Sequence, residues 1–388
     1  MSADLLARTR AFIAETVIPA EPAWGQTLAD DVLVGLRGAA REAGVYAPHA
    51  AREYGGLGLP LREWSPVLQA AGYSPIGPAV LNCMAPDEGN MSLLERVATT
   101  DQQERYLRPL VAGSIRSSFA MTEPHPGAGS DPAALRTSAR RVAGGWSVTG
   151  SKRFISGAEL AAFAIVMART EEDGDPGATL FLVPLDAAGV SVGPAIRTIE
   201  SAIAGGHPHV EFRDVFVPDA DVLGRPGEGF RYAQVRLGPA RLTHCMRWLG
   251  LARRSFDIAL DRANERELFG AKLSDLGVAQ ALIADSAIDI ETSDALIDRA
   301  ARVIEEDPKA GAALSSIAKV HCSEAIWRVI DRAVQLCGGD GVSSGLPLIE
   351  YLNEVRPFRI YDGSSETHRW AIARRAARAR ARATEASA

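Results

Sequence analysis

The sequence predicts an α+β protein in which a β domain lies between two helical parts. Three observations support this order. Up to about residue 118, apolar residues recur three and four positions apart, which is the period of amphipathic helices. Residues 119–227 instead contain short alternating or continuously apolar segments, which are typical of strands. The helical period then returns, and we predict domains at 1–118, 119–227 and 228–388.

The first block contains amphipathic segments separated by one loop. The segments "LLARTRAFIAETV" (5–17) and "QQERYLRPLVAG" (102–113) follow the helical period, and the glycines and proline of "REYGGLGLP" (52–60) mark a loop. We therefore predict a helical N-terminal domain.

The second block is predicted to form a sheet without helices between its strands. Its strand-like segments are "GGWSVTGSKRFISG", "AAFAIVMART", "ATLFLVPLD" and "HPHVEFRDVFVPD", and clusters of Gly, Pro and Asp separate them. Because a parallel dinucleotide-binding sheet needs helices between strands, that fold is not expected here.

The third block is predicted to be a bundle of long helices joined by short loops. Within it, Leu249, Ala252, Phe256, Ala259 and Ala263 fall on one helical face. The Gly/Ser-rich "GGDGVSSG" (338–345) interrupts the last helices as a loop.

Composition and charge exclude several classes of function. A net charge of −6 gives no reason to expect a nucleic-acid partner. The four cysteines are far apart, so neither a zinc site nor a disulfide framework is predicted. The histidines lack metal-ligand spacing, and those of "GGHPHV" are placed in a loop before a strand. With no continuous apolar N-terminal segment and no membrane span, we expect a cytoplasmic protein.

Several local motifs suit either a ligand or ordinary structure. The Gly-rich "FAMTEPHPGAGSDPAALRT" (119–137) has hydroxyls and backbone amides for a flavin edge or a phosphate, but such stretches are usually turns. In "SKRFISG", Phe154 and Ser156 are predicted on the same side of a strand, which suits a stacked heterocycle or a core Phe beside a surface Ser. Arg266 in "NERELFGAKL" is either a phosphate ligand or an exposed helical Arg, and "QLCGGDG" either a ligand loop or a helix end.

The stretch "RIYDGSSETHR" (359–369) raises the same question for Asp362. Local sequence favours Asp362 as the N-cap of a helix that begins near Ser364, or as half of an Asp-Gly turn. The alternative is a carboxylate that removes a proton from a substrate.

Taken together, the order and spacing of the motifs resemble those of the acyl-CoA dehydrogenase family over nearly the whole chain. The resemblance rests on "EYGGLGLP", "MTEP…GSD", "GSKRFISG", "VEFRDVFVPDADVLGRPGEGF", "RELFG", "QLCGGDG" and "YDGSSETHR". The segments 77–124 and "RLGPARLTHCMRWLGLARR" are similar to the branch that animals carry fused to a kinase-like phosphotransferase domain, which we do not expect in this chain. In that branch an Asp replaces the family's catalytic Glu, and Asp362 stands at that position.

The resemblance implies an architecture and a reaction. The family's fold is a helical N-terminal domain, a central β-barrel-like domain and a C-terminal four-helix bundle, with FAD held between the β domain and the bundle. Family members are homodimers or homotetramers in which a second subunit contacts the cofactor. They dehydrogenate the α,β bond of acyl-CoA thioesters: a carboxylate takes the α-proton, the β-hydrogen passes to flavin N5, and electrons pass on to electron-transfer flavoprotein.

The resemblance also assigns roles to residues of this chain. Asp362 is implied as the base, and burial of its carboxylate in an apolar pocket sealed by substrate is expected to raise its proton affinity. Arg241, Gly363 and Ser130 are implied near the acyl thioester. The resemblance implies that Arg266 and Phe269 reach the pyrophosphate and adenosine portion of FAD across the dimer interface. The other residues implied to contact FAD are Met121, Thr122, Ser130, Phe154, Ser156, Gln335, Gly338, Gly339, Ser364 and Glu366.

Three departures from the family pattern stand near these positions. His125 and Pro126 lengthen the "TEP…GSD" loop, Gly277 stands where the family often has Gln, and Phe154 replaces the usual Trp. They leave two interpretations open: a pocket shaped for an unusual acyl group, such as one on an acyl carrier protein, or a relative that no longer dehydrogenates.

Two further functions compete with dehydrogenation. The first is a flavin monooxygenase on the same fold, although such relatives generally lack a carboxylate at the base position. The second is a non-catalytic subunit that completes the FAD site of a partner, which the full set of cofactor motifs disfavours.

Overall fold

The structure of the protein is a computed structural model that describes residues 3–172, 175–200 and 205–385. Its backbone contacts divide the chain into two compact units, each built from separate stretches. The helical unit comprises Met1–Trp24, Leu61–Gly77 and Arg241–Ala388, and the sheet unit comprises Gly25–Pro60 and Pro78–Ala240.

Helices occupy the first and last thirds of the chain. Their bounds are α1 (Ala3–Phe12), α2 (Asp30–Glu42), α3 (Trp64–Gly72), α4 (Gly77–Val80), α5 (Asp87–Val97), α6 (Thr100–Gln102), α7 (Arg108–Val111), α8 (Gly229–Glu265), α9 (Gly277–Glu306), α10 (Pro308–Cys337), α11 (Leu348–Val355) and α12 (Ser365–Glu385).

Long helices form the core of the helical unit. α9 packs along α10, and both α11 and α12 pack against α10. Asp307 is the only residue between α9 and α10, and its carboxylate accepts from the Lys309 and Ala310 amides as the N-cap of α10. The predicted face of α8 is confirmed in part: Leu249, Ala252, Ala259 and Ala263 are buried, whereas Phe256 is half-buried.

Two glycines let α3 and α8 approach closely. A Cβ at Gly72 would lie 2.0 Å from the carbonyl oxygen of Arg247, and a Cβ at Gly250 would lie 2.1 Å from that of Gln69. Only glycine fits contacts this short, so the pair fixes where α8 lies against α3. The fixed part of α8 carries Arg247 and, one turn earlier, His244.

The strands of the sheet unit form one sheet. Their bounds are β1 (Ser117–Ala120), β2 (Ser138–Val142), β3 (Gly145–Lys152), β4 (Phe163–Glu172), β5 (Asp175–Pro184), β6 (Val190–Ala195), β7 (Pro208–Pro218) and β8 (Val222–Leu223). The strand order is β6-β7-β3-β2-β4-β5-β8, with β1 parallel to β4. Its core contains Trp146, Phe181 and Phe212, with the rings of Trp146 and Phe181 in edge contact at 5.7 Å.

The predicted order of a helical, a sheet and a helical part is confirmed. Among the described residues, the connections between strands contain no helix longer than one turn, as expected. The position of Phe154 and Ser156 was predicted wrongly: β3 ends at Lys152, and Phe154, two residues later, has a left-handed φ of 57° in place of the extended conformation of a regular strand. No described helix is both long and apolar enough to cross a membrane.

Candidate active site

Asp362 and Gly363 form a tight turn immediately before α12. Asp362 has a φ of 53° and Gly363 a φ of 95°, so two successive residues are left-handed. A Cβ on Gly363 would lie 2.6 Å from Nε2 of His368, which explains why the second position is glycine. The hydroxyl of Ser364, 3.2 Å from the Thr367 amide, caps α12. The expectation that Asp362 is the cap is therefore wrong, because the helix begins two residues later than an Asp362 cap requires.

Side chains from three helices hold the carbonyl groups of this turn. The Asp362 carbonyl accepts from Nε of Arg241 at 3.1 Å and from Nε2 of His368 at 3.0 Å. The Gly363 carbonyl accepts from Nζ of Lys319 at 2.7 Å. These donors come from α8, α12 and α10, so the backbone at Asp362 is fixed by the bundle itself.

Burial changes the ionisation of the three donors. It lowers the pKa of Lys319 to about 8 and also lowers the pKa of Arg241. The nearby negative charge of Asp362 acts in the opposite direction on both groups, but burial has the larger effect. Burial and the nearby Arg241 lower the pKa of His368 to about 4, so His368 is neutral at pH 7 and donates as its Nε2–H tautomer.

The carboxylate of Asp362 faces His244. Its Oδ2 lies 3.3 Å from Nε2 of His244, and its side chain is 19% exposed, which leaves the group within reach of a ligand. Nδ1 of His244 lies 3.0 Å from a terminal guanidinium nitrogen of Arg247. Because arginine only donates, Nδ1 accepts, and the ring is neutral with its proton on Nε2, the ring nitrogen on the side of Asp362. The ring packs on Tyr361 and Phe358, at 4.7 and 5.6 Å between centroids.

The surroundings of Asp362 differ from the apolar pocket expected from the sequence. Arg241 and Lys319 donate to the carbonyl groups of this turn, which need hydrogen-bond donors when they are removed from water. His244 lies beside the carboxylate. Neighbouring positive charge favours the ionised carboxylate, which is the form able to accept a proton.

Elsewhere in the helical unit, Arg266 and Gly338 lie close together, and both are predicted to contact the phosphate end of the cofactor. α8 ends at Glu265, and Arg266 leads into a hairpin of β9 (Glu267–Leu268) and β10 (Ala271–Lys272). α10 ends at Cys337, and a Cβ on Gly338 would lie 3.5 Å from the guanidinium of Arg266. The guanidinium of Arg266 can form paired hydrogen bonds with a phosphate group, and Gly338 has no side chain to block its approach.

The other predicted residues of this region are accessible. Phe269 lies at the hairpin tip with a φ of 54° and is 93% exposed. Gln335 is exposed on the last turn of α10, and a Cβ on Gly339 would meet no atom within 4 Å. Glu366 is exposed in the first turn of α12. These residues are open to a ligand or to a second subunit.

In the sheet unit, the Gly-rich loop after β1 is organised by a buried ion pair. Oε1 of Glu123 lies 3.0 Å from Nζ of Lys152, and both side chains are almost completely buried. The carboxylate also accepts from the amides of Ala128, Arg136 and Thr137 at 2.7–3.0 Å. Burial opposes the negative charge, but Lys152 and these donors outweigh it and lower the pKa of Glu123 to about 2.

This ion pair fixes two predicted cofactor residues. Nζ of Lys152 donates to the Met121 carbonyl at 3.1 Å, and the Arg153 amide donates to the Thr122 carbonyl at 2.9 Å. Burial lowers the pKa of Lys152 to about 8, against the attraction of Glu123. Sequence reasoning missed Glu123 and Lys152, although a lysine within an apolar strand segment was a signal for a buried ion pair.

The remaining predicted residues of the sheet unit lie on loops. Ser130 is exposed beside Asp131, whose carboxylate caps the turn Pro132–Ala134. Phe154 is 46% exposed, and the guanidinium of Arg153 lies 4.7 Å from its ring centroid. Ser156 is half-buried, and its hydroxyl lies 2.9 Å from Nδ1 of His207.

Each unit has residues that suit one part of a flavin nucleotide. The helical unit has a guanidinium and open glycines for a diphosphate, and the sheet unit has an exposed aromatic ring and accessible hydroxyls on a fixed backbone. These are the groups that hold the phosphate and the ring of such a ligand.

Comparisons with known proteins identify the family to which the chain belongs. The chain matches the family models "Acyl-CoA dehydrogenase, N-terminal domain" over residues 2–114, "middle domain" over 118–215 and "C-terminal domain" over 227–377. It is 36% identical to FadE2 of Mycobacterium tuberculosis (strain ATCC 25618 / H37Rv), which is assigned as an acyl-CoA dehydrogenase, over 89% of this chain and 86% of FadE2. It is 36% identical to acyl-CoA dehydrogenase family member 10 of Mus musculus over 82% of this chain, but that match spans only 30% of the mouse protein.

Solved structures show the same fold. One from Mycobacterium abscessus, assigned as an acyl-CoA dehydrogenase, has a TM-score of 0.89 and 32% identity over 96% of this chain and 97% of that one. A glutaryl-CoA dehydrogenase from Mycobacterium smegmatis, in complex with FADH2, has a TM-score of 0.81 and 23% identity over 95% and 92% of the two chains. The chain therefore belongs to the acyl-CoA dehydrogenase family and is an enzyme of that family.

Proposed function

We propose that this enzyme dehydrogenates the α,β bond of an acyl thioester, with Asp362 as the base that removes the α-proton. The observation that supports it is the turn at Asp362: the backbone is held by Arg241, His368 and Lys319, while the carboxylate stays partly exposed beside His244. A fixed carboxylate within reach of a ligand is what general-base catalysis requires.

The cofactor of this enzyme is FAD, as predicted from the sequence. We propose that Arg266, Gln335, Gly338 and Gly339 contact the diphosphate end of a FAD molecule. We likewise propose that Met121, Thr122, Ser130, Phe154 and Ser156 contact the ring end of one. When bound, FAD accepts the β-hydrogen of the substrate as hydride. Ser364 and Glu366 keep the cofactor-contact roles that the resemblance implies.

Asp362 takes the α-proton directly from carbon to one carboxylate oxygen. The proton then neutralises the group, and Arg241 and Lys319 remain nearby as positive charges that favour its return to the ionised form. An Asp side chain is shorter than a Glu by about 1.5 Å. The left-handed turn of Asp362 and Gly363 therefore has to bring the backbone itself towards the substrate.

The substrate and partners follow from the family resemblance. We propose an acyl-CoA, or an acyl group on a carrier protein, as the thioester, with Arg241, Ser130 and Gly363 near it. Electron-transfer flavoprotein is proposed as the electron acceptor, and a homodimer or homotetramer as the assembly. The animal relative supports the branch assignment only in the part that this chain matches.

The test is anaerobic titration of the FAD-loaded enzyme with a panel of acyl thioesters, followed as loss of flavin absorbance. The wild type is expected to bleach with at least one thioester. Asp362→Asn keeps the size of the side chain but cannot take the proton, so its bleaching rate should fall about 10²–10⁴-fold. Asp331→Asn, an exposed change on α10, serves as the matched control. Bleaching of Asp362→Asn at the wild-type rate would remove Asp362 as the base.

A further inference from the structure

Ser156, His207 and Glu200 form a continuous hydrogen-bonded chain in the sheet unit. The hydroxyl of Ser156 lies 2.9 Å from Nδ1 of His207, and Nε2 of the same ring lies 2.9 Å from Oε1 of Glu200. The side chains of His207 and Glu200 are 10% and 12% exposed. Both links therefore have hydrogen-bond length in a largely buried setting.

The carboxylate of Glu200 determines the direction of the hydrogen bond between His207 and Glu200. Burial works against the charge of Glu200, but hydrogen bonds from His207 and Thr198 outweigh it and lower the pKa of the carboxyl. An ionised carboxylate only accepts hydrogen bonds, so Nε2 of His207 carries a proton and donates it.

We propose that His207 is neutral with its proton on Nε2, and that it is a positioning residue which fixes the direction of the Ser156 hydroxyl. Nδ1 of the neutral ring is an acceptor, so the Ser156 hydroxyl donates to it and keeps its lone pairs available for a further hydrogen bond. Ser156 then accepts a hydrogen bond from a bound ligand and does not donate one. This inference rests on the proposed function in one respect, namely that FAD lies beside Ser156.

If N5 of a bound FAD ring lies beside Ser156, an acceptor there would distinguish between the two redox forms of FAD. The reduced ring has an N–H donor at N5, whereas the oxidised ring has only an acceptor there. In that arrangement the hydrogen bonds from Glu200 to Ser156 would stabilise the reduced form and raise the reduction potential of the bound cofactor. One hydrogen bond of ordinary net strength corresponds to roughly a tenfold preference.

The protonation of His207 can be measured without the cofactor. The chain contains seven histidines, so selective ¹⁵N labelling of histidine rings gives a small set of signals, and His207→Phe identifies the one that disappears. In the full chain without FAD we expect a protonated Nε2 and an unprotonated Nδ1. In Glu200→Ala the proton is expected on Nδ1, because its acceptor at Nε2 is gone. A ring protonated at both nitrogens, or only at Nδ1, in the wild type would overturn the proposal.

The consequence for the cofactor is tested by measuring the reduction potential of the FAD-loaded enzyme. In His207→Phe and in Glu200→Ala, the Ser156 hydroxyl is released to donate, and the preference for reduced FAD should fall about tenfold, which is about 30 mV for a two-electron couple. In a Ser156→Ala background, His207→Phe should have no further effect. His209→Phe, two residues away on β7, is the matched control and should leave the potential unchanged.

The outcomes separate the two proposals. An unchanged potential in His207→Phe, with FAD bound, overturns the positioning role. If the protein binds no FAD, the proposed function is contradicted. The positions of the protons on the His207 ring would then still test the hydrogen bonds from Glu200 to Ser156.

Discussion

Asp362 adopts a left-handed backbone conformation that costs a non-glycine residue on the order of 1–2 kcal/mol. Three hydrogen bonds to the carbonyls of Asp362 and Gly363 offset this cost, and all three donors belong to other helices or to the following turn of α12. The conformation therefore depends on the folded bundle. Strain that is held in this way is typical of functional positions.

At this position we predict a positioning role for His244 that can be separated from packing. His244→Phe keeps a ring against Tyr361 and Phe358 but removes the Nε2–H that faces Asp362. Nε2 lies 3.3 Å from Oδ2 as a polar contact and not as a full hydrogen bond, so its loss should cost about 1 kcal/mol and slow flavin bleaching by substrate roughly fivefold. The measurement is the rate of bleaching in anaerobic stopped flow, with normal and α-deuterated thioester.

The conservative variant His244→Gln decides how His244 acts. Its amide N–H₂ stands about where Nε2 of the ring stood, so it should recover most of the rate. Replacement by Phe should slow the step that the α-deuterium reports, with little change in substrate affinity. Equal rates in the Phe and Gln variants would show that the ring acts only through packing.

Sequence reasoning found some of these residues for a clear reason. Asp362, Gly363 and Arg241 stand in family motifs that are recognisable in the linear sequence. His244 and Lys319 did not stand out, because each lies within an ordinary helical segment and meets Asp362 only when α8 and α10 have packed. The helix cap was misplaced by two residues since Asp and Ser are similarly good N-caps and both precede α12.

At the scale of elements, the loop after β1 depends on the Glu123–Lys152 pair. Glu123→Gln leaves the buried Lys152 without its counter-charge, and breaking a buried pair on one side costs about 3–5 kcal/mol. We expect a loss of that order in the free energy of unfolding, measured by denaturant titration with a probe in the sheet unit. The double variant Glu123→Gln with Lys152→Met should recover part of the loss, because no unpaired charge remains.

An exposed ion pair of the same unit gives the control. Arg141 and Asp219 bond on the surface with side chains 56% and 53% exposed. Asp219→Asn should cost no more than about 1 kcal/mol. If the losses from Glu123→Gln and Lys152→Met simply add, the two side chains do not act as a pair.

The strands show why some elements were found from the sequence and others were not. β4 and β5 are long apolar runs, and both were predicted. β2 reads "SARRV" and β6 reads "VSVGPA", so polar side chains, Gly and Pro hide their strand character. β1 has only four residues and follows a helical region. These segments become strands because β1 pairs with β4, β2 with β3 and β6 with β7, and a local pattern does not contain that information.

At the scale of the molecule, segments that are neighbours in the sequence belong to different compact units. The sequence predicts that the helical first block is one domain, and the boundaries at 118 and 227 stay a prediction. In the structure, Met1–Trp24 and Leu61–Gly77 group with the C-terminal helices, whereas Gly25–Pro60 groups with the sheet. Periodicity identifies helices, but the choice of partner is set by contacts such as that of Gly72 with Arg247, which are distant in sequence.

The last prediction concerns the assembly. Phe269 is 93% exposed at the tip of the β9–β10 hairpin, next to Arg266, and the family resemblance implies that this hairpin reaches the cofactor of a second subunit. Phe269→Asp puts a charge where an apolar contact is proposed, so we expect a smaller particle by light scattering and less FAD retained after gel filtration. Val34→Asp, at a 69% exposed position of α2, is the control and should change neither. An unchanged mass and FAD content in Phe269→Asp would show that the hairpin does not contribute to an intersubunit cofactor site.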